Sequence, residues 1–271
     1  ARLAGVSKRT VSRVINGSLS VGDSTRARVE KIIADLNYSP NPQARGLASS
    51  RSYLLGLIYD NPDALYLDDV QRGVLEVCSQ LGYELVVHPW RYRSENLVQD
   101  CFNFINRSKL DGVIVLPPVS ELDHLASALK DAGRPYVRLT SVLLDDNHHS
   151  VVSDDRAAAA EMARYFAQLG HVDIAFISGP QRYKSSTERM EGFKLGLSAY
   201  GITLQPERII EGNNSYETGI ECARQLLTQA TLPTAIFANN DQMAAGVLKA
   251  AHDLGISIPK QLSVAGFDDN L

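Results

Sequence analysis

The chain is poor in cysteine, methionine and tryptophan, with three, three and one of them in 271 residues. Cys78, Cys101 and Cys222 are odd in number and widely spaced in helical patterns. That excludes a disulfide framework or a thiolate metal site and leaves buried free thiols. A reducing, cytoplasmic setting is the expectation that follows. No apolar run approaches the ~20 residues a membrane helix needs, and no signal-peptide pattern opens the sequence. The glycines form neither G-x-G-x-x-G nor G-x-S-x-G. In Gly179-Pro-Gln-Arg-Tyr-Lys184-Ser185, Tyr183 stands where a phosphate-cradling loop needs a glycine before its lysine. The six histidines lack metal-binding spacing, and His148-His149 reads as a solvated loop pair. Neither catalysis, a metal nor a cofactor is expected.

What is present is lopsided charge. Residues 1–51 carry nine Lys and Arg against Asp23, Glu30 and Asp35, a net +6, whereas the whole chain is −4 and the remainder −10. A basic head on an acidic body suits polyanion binding by the head alone. Within that head, Gly5 is free to take the positive φ that ends one helix, and Ser7 is a good N-cap for the next. Val11, Val14 and Ile15 share an inward face, so Lys8, Arg9, Arg13 and Asn16 point the other way. A short helix after a tight turn, with basic and amide groups outward, is the second half of a helix-turn-helix suited to a major groove. Val29, Ile32, Ile33 and Leu36 predict a third helix covering the first two, opened at Gly22-Asp23-Ser24 and closed at Asn37. Ser39-Pro40-Asn41-Pro42 then breaks the chain, and residues 43–50 are small, polar and weakly helical.

From residue 53 short apolar strands alternate with amphipathic helices. Strands are expected at 54–59, 84–88, 112–116, 136–139, 173–178, 208–211, 234–238 and 262–266. Helices are expected at 66–81, 95–107, 121–132, 155–169, 187–200, 216–229 and 241–254. Near-continuous apolar runs such as 112–116 belong to parallel sheets covered on both faces, and the order implies doubly wound sheets. Ligands of such sheets lie beyond the C-terminal strand ends. The loops there carry Asp60, Asn61, Asp154, Asp155, Asn239, Asn240, Asp241, Asp268 and Asp269, with Arg189 on a nearby helix. Carboxylates, amides and a guanidinium around a cleft suit a polyhydroxylated ligand, because each engages vicinal hydroxyls in a fork. Asx residues also favour turns for structural reasons alone.

These residues resemble the lactose/galactose repressor (LacI/GalR) family of bacterial transcriptional regulators over essentially the whole chain. The likeness is carried by Ala4-Gly5-Val6-Ser7-x-x-Thr10-Val11-Ser12-Arg13-Val14-x-Asn16-Gly17, by Leu36-Asn37-Tyr38-x-Pro40-Asn41-x-x-Ala44-Arg45-x-Leu47, and by Arg189-x-x-Gly192-Phe193. Asn240-Asp241-Gln242-Met243-Ala244 and Ser263-Val264-Ala265-Gly266-Phe267-Asp268-Asp269 follow in order. The resemblance implies a small all-α helix-turn-helix head (1–38) and a hinge helix or linker (39–52). After them it implies an α/β core like a type I periplasmic binding protein, with two doubly wound parallel-sheet subdomains (53–153 and 154–271). The second would be incomplete, because the chain stops directly after a strand, and the opening with Ala1 inside a helical pattern leaves the start of the first helix cut as well.

By the same resemblance, Lys8, Arg9 and Arg13 read bases, and Ser7, Thr10, Ser12 and Asn16 touch phosphate or base. Asn41 and Leu47 act in the hinge, Leu47 as a wedge into the minor groove. Asp154, Arg189, Asn240 and Asp268 match effector-binding positions, with Gln242 a weaker neighbour. Asp60 and Asn61 are added from their place at a strand end, and Tyr59, Tyr66 and Trp90 as a possible apolar wall. Gly22 replaces a usual capping Ser, and Asp155 stands where Asn is common. The implied function is a homodimeric, cytoplasmic regulator of pseudo-palindromic operator DNA, controlled by a small molecule, most simply a sugar. A co-repressor-dependent regulator sensing a purine-like metabolite and a sugar-binding protein without DNA function are the alternatives.

Overall fold

In this computed structural model residues 1–270 are described, apart from positions 16, 37, 39–50, 61–62 and 92–93. The candidates Asn16, Asn41, Leu47 and Asn61, and with them most of the hinge, lie outside the described residues. Residues 1–52 and 53–271 pack as separate units.

In the first unit, Gly5 takes φ +59° and closes a turn through Gly5 N–H to the Arg2 carbonyl at 3.2 Å. Helix α1 (Lys8–Ile15) follows at once, with the Thr10 amide donating to Ser7 Oγ at 3.0 Å. That bond satisfies one of the amides a helix start leaves without a partner. Helix α2 (Asp23–Asp35) starts after Gly22, which offers no side-chain cap. Ala4, Val14, Val21 and Val29 form a small core, with Val6, Val11, Ile32 and Ile33 against it. Ile15 and Leu36, expected inside, are 37% and 57% exposed. Each stands at the last turn of its helix or just past it, where the opposing helix offers no cover.

In the second unit, near-continuous apolar runs become parallel strands because both sheet faces are covered by helices. Lobe one holds β1 (Leu54–Tyr59), β2 (Glu84–Pro89), β3 (Gly112–Val115), β4 (Tyr136–Thr140) and β5 (Ser150–Val152) in the order β2-β1-β3-β4-β5. Helices α3 (Ala64–Leu81), α4 (Leu97–Ser108) and α5 (Asp123–Asp131) connect them, with a 3-10 turn at Val119–Glu121. Lobe two begins with α6 (Asp155–Gln168), continues through β6 (Ile174–Ser178), α7 (Lys184–Ser198), β7 (Ile209–Glu211), α8 (Tyr216–Leu227), β8 (Ala235–Ala238) and α9 (Asp241–Asp253), and ends at β9 (Ser263–Ala265). Its strand order is β7-β6-β8-β9. In both sheets the order reverses at the first strand, so the crevices lie beyond β1/β3 and β6/β8. The eight expected strands form. The ninth, β5, has only three residues, with Val151 and Val152 exposed, and so lacks the alternation or apolar run that betrays a strand.

Lobe two is centred on Phe166, Phe176, Phe193 and Phe237, with ring centroids 5.0–6.2 Å apart. Helices α6 and α7 meet over Ala159, Ala160, Ala163, Gly192 and Gly196, all buried. A Cβ on Gly192 would run into the Arg156 carbonyl. Gly192→Ala should therefore lower stability by about 1–3 kcal/mol despite alanine's better helix propensity. Urea unfolding checks this, and an unchanged or higher midpoint would show that the helices part freely. Cys78, Cys101 and Cys222 are buried free thiols, and burial pushes Cys101 up to about 12. Among the described residues no helix is long and apolar enough to cross a membrane.

Candidate functional site

Between the lobes lies a cavity of about 260 Å³ at the C-terminal strand ends, lined by side chains from both sheets. Its centre is Arg189, about one and a half turns into α7. Its Nε donates to Asp155 Oδ1 at 2.7 Å, Nη1 to the Asn239 carbonyl at 2.5 Å and Nη2 to Asp268 Oδ1 at 3.0 Å. The guanidinium also lies 3.7 Å from the centre of the Phe267 ring. The Asp155 side chain is only 1% exposed, and its second oxygen accepts from Ser153 Oγ at 2.5 Å. Arg189 is thus both a wall of the cavity and the counter-charge of a buried carboxylate.

Lobe one contributes Asp63. It caps α3, accepting from the amides of Leu65 and Tyr66 at 3.1 and 3.2 Å. It also accepts across the cleft from Gln242 Nε2 at 3.1 Å and Asn240 Nδ2 at 3.4 Å. Asn240 caps α9 by accepting from the Met243 amide at 3.0 Å, and its Nδ2 reaches the Asn214 carbonyl at 3.0 Å. Asp63, Asp155 and Asp268 line the cavity with Arg189, three carboxylates around one guanidinium. Burial pushes the Asp268 carboxyl up despite Arg189 beside it. Burial likewise lifts the Tyr66 hydroxyl to about 12, with Asp268 adding to the shift.

Of the effector candidates, Arg189, Asn240 and Asp268 line the cavity and Asp60, Asp154 and Gln242 do not. Asp154 is exposed, its carboxylate accepting from the Ala157 amide at 3.0 Å. An N-cap side chain turns back onto its own helix, so the next residue, Asp155, is the one that faces inward. The Asp60 carbonyl accepts from the Tyr183 hydroxyl at 3.3 Å. Gln242 acts at one remove, through Asp63. Asp63 itself was not anticipated, although an Asp just before a helical run is a cap signal. Of the expected aromatic wall Tyr66 is present. Tyr59 packs in the lobe-one core, and Trp90 stands in a separate hollow with His88, Arg91 and Phe104.

In the head, Lys8, Arg9, Ser12 and Arg13 are exposed on α1. Among the described residues no salt bridge engages Lys8, Arg9 or Arg13. Ser7 and Thr10 pair their hydroxyls at 2.9 Å, and Arg26 Nη2 fixes the loop after α1 by donating to the Ser18 carbonyl at 2.5 Å. A free basic face on a braced helix is a geometry for reading a groove. Elsewhere, Asp145, Asp146 and His149 approach closely enough to hold a cation. Lys130 Nζ lies 3.8 and 3.7 Å from the two carboxylates and already supplies countercharge. His149 is stacked on Tyr136 at 4.6 Å, so it is not the freely solvated residue the sequence suggested.

Residues 1–41 match the family described as bacterial regulatory proteins, lacI family, and residues 163–271 match the periplasmic binding protein-like domain. Over 270 residues the chain is 32% identical to catabolite control protein A of Priestia megaterium, covering 99% of this chain and 81% of that one. The chain belongs to the LacI family. Another LacI-family relative, the HTH-type transcriptional repressor PurR of Pasteurella multocida, is 31% identical over 274 residues, 99% of this chain and 80% of that one. The structure of the lac repressor dimer bound to operator and the anti-inducer ONPF is similar at a TM-score of 0.78 and 31% identity, covering 99% of this chain and 81% of that one. The complex of the transcriptional regulator CelR with cellobiose gives 0.69 and 30%, over 99% and 81%. As a member of the LacI family this chain is a transcriptional repressor and not an enzyme.

Proposed function

We propose that this chain, as a homodimer, holds a pseudo-palindromic operator with its heads and that a neutral, polyhydroxylated effector, most simply a sugar, controls that grip. Lys8, Arg9 and Arg13 would read base edges, favouring guanine, and Ser7, Thr10, Ser12 and Asn16 would touch phosphate or base. Asn41 and Leu47 would act in the hinge, Leu47 as the minor-groove wedge.

The observation that carries the effector reading is the charge of the cleft. Three carboxylates with one guanidinium repel a phosphorylated or otherwise anionic ligand, and they offer paired acceptors to hydroxyl donors. Asp155, Arg189, Asn240 and Asp268 would hold the ligand. The CelR complex with cellobiose supports a sugar. Tyr66 and Tyr183 also line the cavity, and such flat walls suit a planar base, which keeps a purine-like effector as a second reading.

A thermal-shift screen separates these readings, because a ligand present at 100 times its Kd stabilises by about 2.7 kcal/mol. A neutral mono- or disaccharide should raise Tm, whereas its phosphorylated form should not. Stabilisation only by nucleobases, or only by sugar phosphates, would overturn the assignment.

A further inference from the structure

The two lobes are joined by a contact that no ligand-binding residue makes. Glu121 ends the 3-10 turn of lobe one, and both its oxygens accept from one donor in lobe two, the backbone N–H of Lys184, at 3.1 and 3.0 Å. Lys184 is the first residue of α7, the helix that carries Arg189 one and a half turns further on. Tyr183, immediately before it, is buried and offers the helix no side-chain cap. The start of the effector-reading helix is therefore capped from the opposite lobe.

We propose that Glu121 is a proton-sensitive clasp: closing the lobes takes up a proton on its carboxyl, and the ionised carboxylate favours their parting. The clasp goes beyond the identity of the effector, and only its influence on effector affinity rests on the function proposed above.

The physical reason lies in what surrounds the group. Closure takes the carboxylate out of water. Among the described residues its hydrogen bonds come from a single amide, few for a carboxylate held half-buried between the lobes. The charged and titratable groups facing it are Lys184 on α7, Arg138 on β4 and Asp155 at the start of α6, with Tyr66 on α3 and Tyr183 before α7. Arg138 is committed elsewhere, donating to the Ser120 carbonyl at 2.7 Å and to Asp123 at 3.1 Å. Burial consequently pushes the Glu121 carboxyl to about 7, against the pull of the Lys184 amide and the two cations.

The sign follows from linkage. A carboxyl raised from its ordinary 4.5 to about 7 binds more protons in the closed form between those values, so closure strengthens as pH falls through 7. The neutral acid keeps its carbonyl oxygen as an acceptor for the Lys184 amide, and the cost of burying charge that it sheds outweighs the attraction to Lys184 and Arg138 that it gives up. From pH 8 to pH 6 the closed-to-open ratio should rise roughly tenfold.

The test uses the unliganded chain, so it stands apart from any failure to find an effector. Dyes on D131C and K260C, at exposed positions in lobe one and lobe two, report lobe separation by energy transfer, while the Lys184 amide resonance reports the clasp. Both should titrate together with a midpoint near 7. In E121Q, which is always neutral, the separation should stay at its low-pH value from pH 5.5 to 8.5. In E121A the Lys184 resonance should not titrate. A wild-type Lys184 resonance that is flat across this range, or an energy-transfer profile that E121Q leaves unchanged, would overturn the proposal. The wild-type resonance decides the matter even if a variant fails to fold.

Discussion

Replacing Arg189 by alanine should destabilise the effector core by about 3–5 kcal/mol, in addition to abolishing its response to effector. Arg189 and Asp155 are 11% and 1% exposed and only 2.7 Å apart. Removing the arginine leaves Asp155 charged, buried and without a cation, and such a group costs far more than the pair itself contributed. The variant also loses the bond to the Asn239 carbonyl and the stacking on Phe267. The double variant R189M/D155N removes both charges and should recover most of the loss, yet remain blind to effector. Urea unfolding of the three proteins measures the first effect, and ligand-induced thermal shift measures the second. A loss under about 1 kcal/mol for R189A would show that the pair does not hold the core. A retained ligand shift in the double variant would remove Arg189 and Asp155 from the binding set.

The second large effect concerns the head. The variant K8A/R9A/R13A should lose specific DNA binding by a factor between ~10² and ~10⁶, because each good base contact discriminates by about 1–3 kcal/mol. These side chains are exposed and enter no salt bridge among the described residues, while the fold of the head rests on Ala4, Val14, Val21 and Val29. The thermal unfolding of the triple variant and its effector-induced shift should therefore match the unsubstituted chain. Anisotropy titrations on specific and scrambled duplexes give both affinities. Specific binding that survives the triple substitution would place the DNA surface elsewhere.

Most of the fold was legible because its signals are local. Five consecutive buried residues in β6 and the free basic face of α1 follow from the period of the side chains alone. The errors arose where a residue's role depends on one step of geometry or on a distant partner. Asp154 and Asp155 are adjacent and identical, and only the turn of the cap decides which one meets Arg189. Ile15 and Leu36 fit the helical period, but they stand exposed at the helix ends. Asp63 and Glu121 become significant only when a second lobe brings Asn240, Gln242 and the Lys184 amide against them. No spacing in the sequence encodes that meeting. The resemblance supplied Asp154, Arg189, Asn240 and Asp268 as a set, and the structure adds that Arg189 and Asp268 are bonded directly while Asn240 reaches Asp63 and the Asn214 carbonyl.

Control of DNA binding by a neutral ligand in that acidic cleft is open to a direct measurement. The chain should be offered a randomised duplex library, the enriched duplex recovered, and its affinity measured by anisotropy across salt, with and without the neutral sugar that raises Tm. An enriched palindrome with guanine in each half is expected, with binding that falls steeply with salt and an affinity the sugar shifts in one direction. No enrichment, salt-independent binding, or an affinity indifferent to a sugar that demonstrably binds would contradict it.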